Sequence, residues 1–144
     1  MLASAPVRST YNSALYVATP ELVISNLQQL VAAAADLCRK PLRHAVMPLD
    51  ASQRCDDCNL RLEVRQADGE RYPAADLELE IYRSGKDLNL TLAWCHDPQR
   101  PLLWQGSHPV WMEPESGLRC ERPVDGAPLE ALARRLRALL VPLD

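Results

Sequence analysis

The sequence predicts an α+β fold. The expected form is a two-layer sandwich, an antiparallel sheet of about 4–6 strands with an N-terminal and a C-terminal helix on one face. Three successive segments in the middle of the chain alternate apolar and polar residues, the two-residue period of a strand with one covered face. On either side lies a segment whose apolar residues recur every three or four positions, the period of an amphipathic helix. The 144 residues suit one domain, 1–144, and a hydrophobic content of 47% is that of a globular chain able to bury a core. Phe is absent, so Leu, Val, three Trp and four Tyr must fill that core, and each Trp or Tyr brings a polar tip that needs a partner when buried.

Residues 1–18 mix small and polar residues with Tyr11, Leu15, Tyr16 and Val17, which reads as an arm or a short edge strand. A helix is expected over 19–40. Thr19 suits the N-cap, Pro20 the first helical position and Glu21 the positive end of the helix dipole. Val23, Leu27, Leu30, Ala34 and Leu37 form its apolar stripe, Arg39 and Lys40 sit at the negative end, and Pro41 stops it. Residues 41–58, "PLRHAVMPLDASQRCDDC", hold two Pro and no lasting period, and read as a loop with at most a short strand at 44–47.

The sheet is expected over 59–121. Leu60, Leu62 and Val64 face one way in the first segment, Leu77, Leu79 and Ile81 in the second, and Leu88, Leu90, Leu92 and Trp94 in the third. "RSGKD" supplies a tight hairpin turn between the second and third, with Gly85 free to take positive φ. Shorter strands follow around 102–105, 110–112 and 118–121. In the closing helix, 127–141, Leu129, Leu132, Leu136, Leu139 and Leu140 make a stripe, with Arg134, Arg135 and Arg137 largely off it. With both helices on one side, the other face of the sheet is left polar and open. It would show Arg61, Glu63 and Arg65 beside Glu78, Glu80 and Tyr82, then Asn89, Thr91 and Cys95.

The formal net charge of −3 argues against a protein held to nucleic acid by phosphate contacts. Fourteen of the sixteen basic residues are Arg, a bias expected of a bacterial genome rich in G and C. No run approaches the ~18 apolar residues of a membrane span. No basic stretch followed by an apolar run opens the chain, and the cysteine count of five is odd. A reducing, cytoplasmic setting with thiols rather than disulfides is therefore expected.

The sharpest short motif is "CDDC", Cys55 to Cys58. Two thiolates at this spacing can hold half of a tetrahedral zinc site, and Cys95, His96, His108 and Cys120 are the available further donors. No second tight pair accompanies it, and Asp56 and Asp57 raise thiol pKa values, which opposes both metal binding and redox reactivity. All three tryptophans fall within "AWCHDPQRPLLWQGSHPVW", 93–111. Cys95 with a histidine, and Asp97 to orient it, could make a nucleophile and base, but these residues are contiguous rather than converging from separate elements. Trp94 continues an apolar strand face and is expected in the core. Trp104 and Trp111 flank "QGSHP" and either stack across paired strands or stand partly exposed as contact residues.

No complete catalytic constellation is present in these patterns, and no cofactor is expected beyond the zinc alternative. The reading is a small non-enzymatic protein-binding module of adaptor or assembly-chaperone type. It would use the open sheet face or the Trp104–Trp111 hairpin, with Trp104, His108, Trp111 and Tyr82 as contact residues and a protein partner or a second copy, a homodimer, as occupant. The alternatives are a metal or thiol site on Cys55, Cys58, Cys95 and Cys120, and single-stranded nucleic acid on the sheet face. Glu63, Glu78 and Glu80 oppose the last of these.

Overall fold

In a computed structural model the described residues are 23–141; the arm at 1–18 and the caps expected at Thr19, Pro20 and Glu21 lie outside them. Helix α1 runs over Ile24–Cys38 and helix α2 over Ala127–Leu140. Between them, seven strands form one antiparallel sheet in simple chain order. They are β1 (Arg43–Pro48), β2 (Cys58–Arg65), β3 (Leu77–Ser84), β4 (Asp87–Trp94), β5 (Leu102–Gln105), β6 (Pro109–Met112) and β7 (Arg119–Cys120). The α+β sandwich is as expected, but the sheet has more strands than the predicted 4–6, because the short strand read at 44–47 within the 41–58 loop is present as Arg43–Pro48 and joins the sheet. Strand β1 pairs with β2 along its length, from Arg43 opposite Arg65 to Pro48 opposite Leu60. As an edge strand it tolerates Pro48 and needs no apolar alternation on its outer side.

One cluster of buried residues joins both helices to one face of the sheet. Leu60, Leu62, Leu77, Leu79, Ile81, Leu90 and Leu92 pack against Leu27 and Val31 of α1 and Leu129, Leu132 and Leu136 of α2. The helices also touch each other, so both lie on the same side. The stripe of α1 is rotated from the expected one. Leu27 and Ala34 are buried as predicted, but Val31 and Ala35 join them while Val23 and Leu37 are exposed. Val23 is extended and precedes the first turn, so it is not a helical residue. In an alanine-rich helix the period alone leaves the stripe's centre loose by one residue, and tertiary packing settles it.

Arg39 also differs from expectation. It does not serve the helix end from solvent; it is buried, and its Nη2 donates to the carbonyl of Ala75 at 3.1 Å. Its Nη1 lies 3.0 Å from His44 Nε2, and His44 Nδ1 lies 2.9 Å from Asp36 Oδ1. A guanidinium only donates, so Nε2 accepts and the imidazole proton sits on Nδ1, donated to Asp36. The hairpin turn at Gly85 forms as read, with φ +65° there and Ser84 paired to Asp87.

Candidate functional site: the open sheet face

The register lays the open face out in rows. Glu78 pairs with Ala93, Leu102 with Met112, and Met112 with Arg119; the pairing of Leu92 with Leu103 sets Ala93 beside Leu102. One row across β3 to β7 therefore reads Glu78, Ala93, Leu102, Met112, Arg119. The next reads Glu80, Thr91, Trp104, Val110. Leu102, Trp104, Val110 and Met112 are thus two cross-strand pairs that form a partly exposed apolar block on β5 and β6. The charged half lies on β2 and β3, where Arg61 stands opposite Glu78. The face is therefore not uniformly polar, as expected, but divided into a charged half and an apolar half. Asn89, expected on the open surface, is buried there.

Trp104 is the best-held member of the block. Its Nε1–H donates to the Tyr82 hydroxyl at 3.0 Å, which links β5 to β3 across β4. Its ring lies over Gly106, where a Cβ would come within 2.5 Å of Trp104 Cη2, so the missing side chain makes room for the indole. Tyr82, Asn89, Trp104, Ser107 and Arg137 border a shallow hollow of about 220 Å³ beside it. His108 is exposed at the tip of the β5–β6 hairpin.

Trp111 is on the other side of the sheet. It pairs with Leu103, a core residue, and is buried, so it does not stack on Trp104 and is not a surface contact. Its ring stacks instead on Trp94, with centroids 6.1 Å apart and planes 21° from parallel. Its Nε1–H donates to Glu130 Oε2 at 2.7 Å, which satisfies the indole and ties β6 to α2. Adjacent Val110 and Trp111 point to opposite faces because the side-chain period of a strand is two. Arg100 also lies over the Trp94 ring, its guanidinium carbon 3.6 Å from the ring centroid.

The four proposed thiol ligands do not meet. Cys58 faces the core opposite Ile81, whereas Cys95 follows Trp94 on the open face beside Arg61 and Glu78. Cys120 lies on β7 opposite Trp111. Five strand spacings separate β2 from β7, roughly 24 Å at ~4.8 Å each. Cys55 packs against the core in the turn before β2. Burial, helped by Cys55 and the carboxylates of Asp50, Asp57 and Asp56, pushes the Cys58 thiol up to about 12, and burial and Asp56 raise Cys55. Both shifts disfavour the thiolates that a metal or redox role requires. Among the described residues no group of three or more His, Cys, Asp or Glu side chains is placed to hold a metal ion.

The Cys95–His96–Asp97 run does not assemble into a nucleophile and base either. The Asp97 carboxylate accepts the Gln99 N–H inside its own turn, and His96 Nε2 stands 3.5 Å from Asp76 Oδ2. Asp76 is buried and structural: Arg71 grips it through both guanidinium arms at 3.0 and 2.8 Å, and the Val64 N–H donates to it at 2.8 Å.

Sequence reasoning nominated Trp104 and Tyr82, which lie on this face, and did not nominate Leu102, Val110 and Met112 beside them. In "LLWQ" and "PVWM" both faces of a four-residue strand carry apolar side chains, so the period cannot say which face is covered. Among the described residues no helix is long and apolar enough to cross a membrane. No curated protein and no solved structure matches the chain. Residues 28–139, most of its length, match the family described as "Domain of unknown function (DUF8659)", and the chain belongs to that family.

Proposed function

We propose that this chain is a protein-binding module of adaptor or assembly-factor type, acting in the reducing cytoplasm, and that it binds through the apolar half of the open sheet face. Its occupant is a second copy of the chain. The observation that carries this is the row Glu78, Ala93, Leu102, Met112, Arg119, in which an apolar stretch centred on β5 has a carboxylate two strands away on one side and a guanidinium two strands away on the other.

A two-fold axis lying along β5 between two such faces brings β3 of one copy over β7 of the other without changing height along the strands. Glu78 of each copy then faces Arg119 of its mate, and the two apolar blocks meet between these reciprocal ion pairs. Facing sheets pack about 10 Å apart with strand directions within about 30°, which leaves room for side chains of this size to interdigitate. Trp104, held by Tyr82 and seated on Gly106, supplies a rigid aromatic at the centre of the block, the kind of residue that dominates binding energy.

Sedimentation velocity across a concentration series tests the reading. A reversible dimer is expected. Glu78→Arg or Arg119→Glu alone should weaken it, and the two together should restore it, with circular dichroism confirming the fold throughout. A chain that stays monomeric at every concentration, or a double charge reversal no better than either single one, overturns the reading.

A further inference from the structure

A second surface, independent of the sheet face, lies at the end of the sandwich where the end of α1, the short 3₁₀ turn at Pro73–Ala75, the end of β4 and the first turn of α2 meet. It is a cleft of about 360 Å³. Arg39, Lys40 and Arg100 line it, and Asp125 is the one carboxylate among its described lining residues. That is a local excess of positive charge in a chain whose net charge is −3.

Arg39 is the telling residue. It is only 7% exposed, and its partners are the His44 imidazole and the Ala75 carbonyl. Among the described residues no carboxylate pairs with it. Burial pulls its pKa down to about 10, against the weaker long-range pull of Asp125 and Asp76. These contacts use one donor on each Nη, so Arg39 brings to the cleft wall a buried positive charge that, among the described residues, is held by an imidazole and a carbonyl rather than by a carboxylate.

Two further features point the same way. Arg100 is held in place by stacking on Trp94 while its Nη2 pairs with Asp125, so it presents a fixed guanidinium at the rim. Helix α2 begins beside the cleft with Gly126 at its N-cap and no side-chain cap; Glu130 in its first turn is engaged by Trp111 and Arg122 and does not line the cleft. Leu42, Tyr72 and Leu129 give the same cleft an apolar wall.

We propose that this cleft binds a small organic anion, a carboxylate or a phosphate monoester attached to an apolar ring or short chain. The anionic head lies among Arg39, Lys40 and Arg100, and the body lies along Tyr72, Leu42 and Leu129. Planar bidentate recognition suits both heads, since Arg matches carboxylate and phosphate geometry alike.

The test uses the full chain with benzoate, phenyl phosphate, inorganic phosphate and benzylamine. Binding is followed by thermal denaturation and by amide shifts in a two-dimensional NMR spectrum. A saturable rise in Tm is expected with benzoate or phenyl phosphate, with shifts clustered at Lys40, Ala75, Arg100 and Leu129, and none with benzylamine. Response to benzoate alone assigns a carboxylate, and response to phenyl phosphate alone assigns a phosphate ester. Lys40→Gln and Arg100→Gln, both nearer the surface than Arg39, should each weaken binding several-fold while the unliganded protein still folds. The proposal is overturned by no saturable response to either aromatic anion, by an equal response to benzylamine, or by binding indifferent to both substitutions. Inorganic phosphate binding as tightly as phenyl phosphate also overturns it, since the apolar wall would then contribute nothing.

Discussion

The indole N–H of Trp104 donates to the hydroxyl of Tyr82 at 3.0 Å, and this bond fixes the aromatic member of the apolar block on the open face. Tyr82→Phe removes the acceptor and keeps the ring. A neutral hydrogen bond contributes about 1 kcal/mol to the fold, so stability should fall by no more than about that, while self-association should weaken several-fold because the indole is no longer held in its docking orientation. Sedimentation and chemical denaturation on the same variant separate the two effects. Unchanged association would mean that the orientation of Trp104 is irrelevant to docking.

Gly106→Ala approaches the same indole from below. The new methyl would stand 2.5 Å from Trp104 Cη2, so the ring must move. The expected outcome is a protein that folds, shows a shifted Trp emission spectrum and associates more weakly than the parent. An unaltered spectrum and dimer would show that the ring has room to spare.

Trp111 should behave in the opposite way from Trp104. Trp111→Phe leaves the buried Glu130 carboxylate without its 2.7 Å donor, with Arg122 and Arg134 only at 3.4 Å. Loss of that bond should cost about 1–3 kcal/mol, and weaker stacking on Trp94 roughly another 0.5–1. Trp104→Ala, on the open face, should cost the fold much less. Urea denaturation of the two variants side by side checks the contrast, and equal losses would contradict the two-faced arrangement of the hairpin.

Acid should weaken the fold in two stages. Burial lowers the His44 pKa, more than its bond to Asp36 raises it, and Arg39 adds to the lowering. A folded value below the unfolded ~6.5 means that the folded state binds fewer protons. Its contribution is complete above about pH 6.5 and is lost as pH falls from there through the folded value. Burial by itself would raise the Asp76 carboxyl, but the Arg71 fork and the Val64 N–H outweigh it and hold the group below its ordinary range. Its contribution is therefore present above about pH 4 and is lost only below that. Denaturation curves across the acid range should show both stages, and His44→Gln should remove the earlier one. If the variant keeps the slope that begins as pH falls below about 6.5, His44 is not its source.

Cys58 should be nearly inert in the folded protein. With its thiol pushed up to about 12, only roughly one molecule in ten thousand carries the thiolate at pH 8. Alkylation by iodoacetamide, mapped by peptide mass spectrometry, should be slow at Cys58 until denaturant is added. Rapid native labelling would mean that the turn before β2 opens readily.

Much of the architecture was legible in the residues. Leu60, Leu62 and Val64, then Leu77, Leu79 and Ile81, then Leu88 to Trp94 carry a clean two-residue period because each strand buries one face and wets the other. Strand β1 was legible only as a short strand at 44–47, and its place in the sheet was not, since an edge strand under a helix needs no such alternation and His44 and Val46 give a short signal. The site was half legible. Tyr82 and Trp104 were nominated by residue type, but Trp111 was nominated by the same rule and lies in the core.

Local periodicity and the Gly85 turn settled the helix–sheet–helix order, the antiparallel sheet and the single covered face, because these depend on which residues shun water within one element. Which of the late tryptophans meets solvent, whether the cysteines converge, and where Arg39 finds its partners were decided only by the tertiary structure. Each depends on register between strands or on packing between elements distant in sequence. A one-residue change of register, which no local pattern forbids in a four-residue strand apolar on both faces, would exchange the two sides.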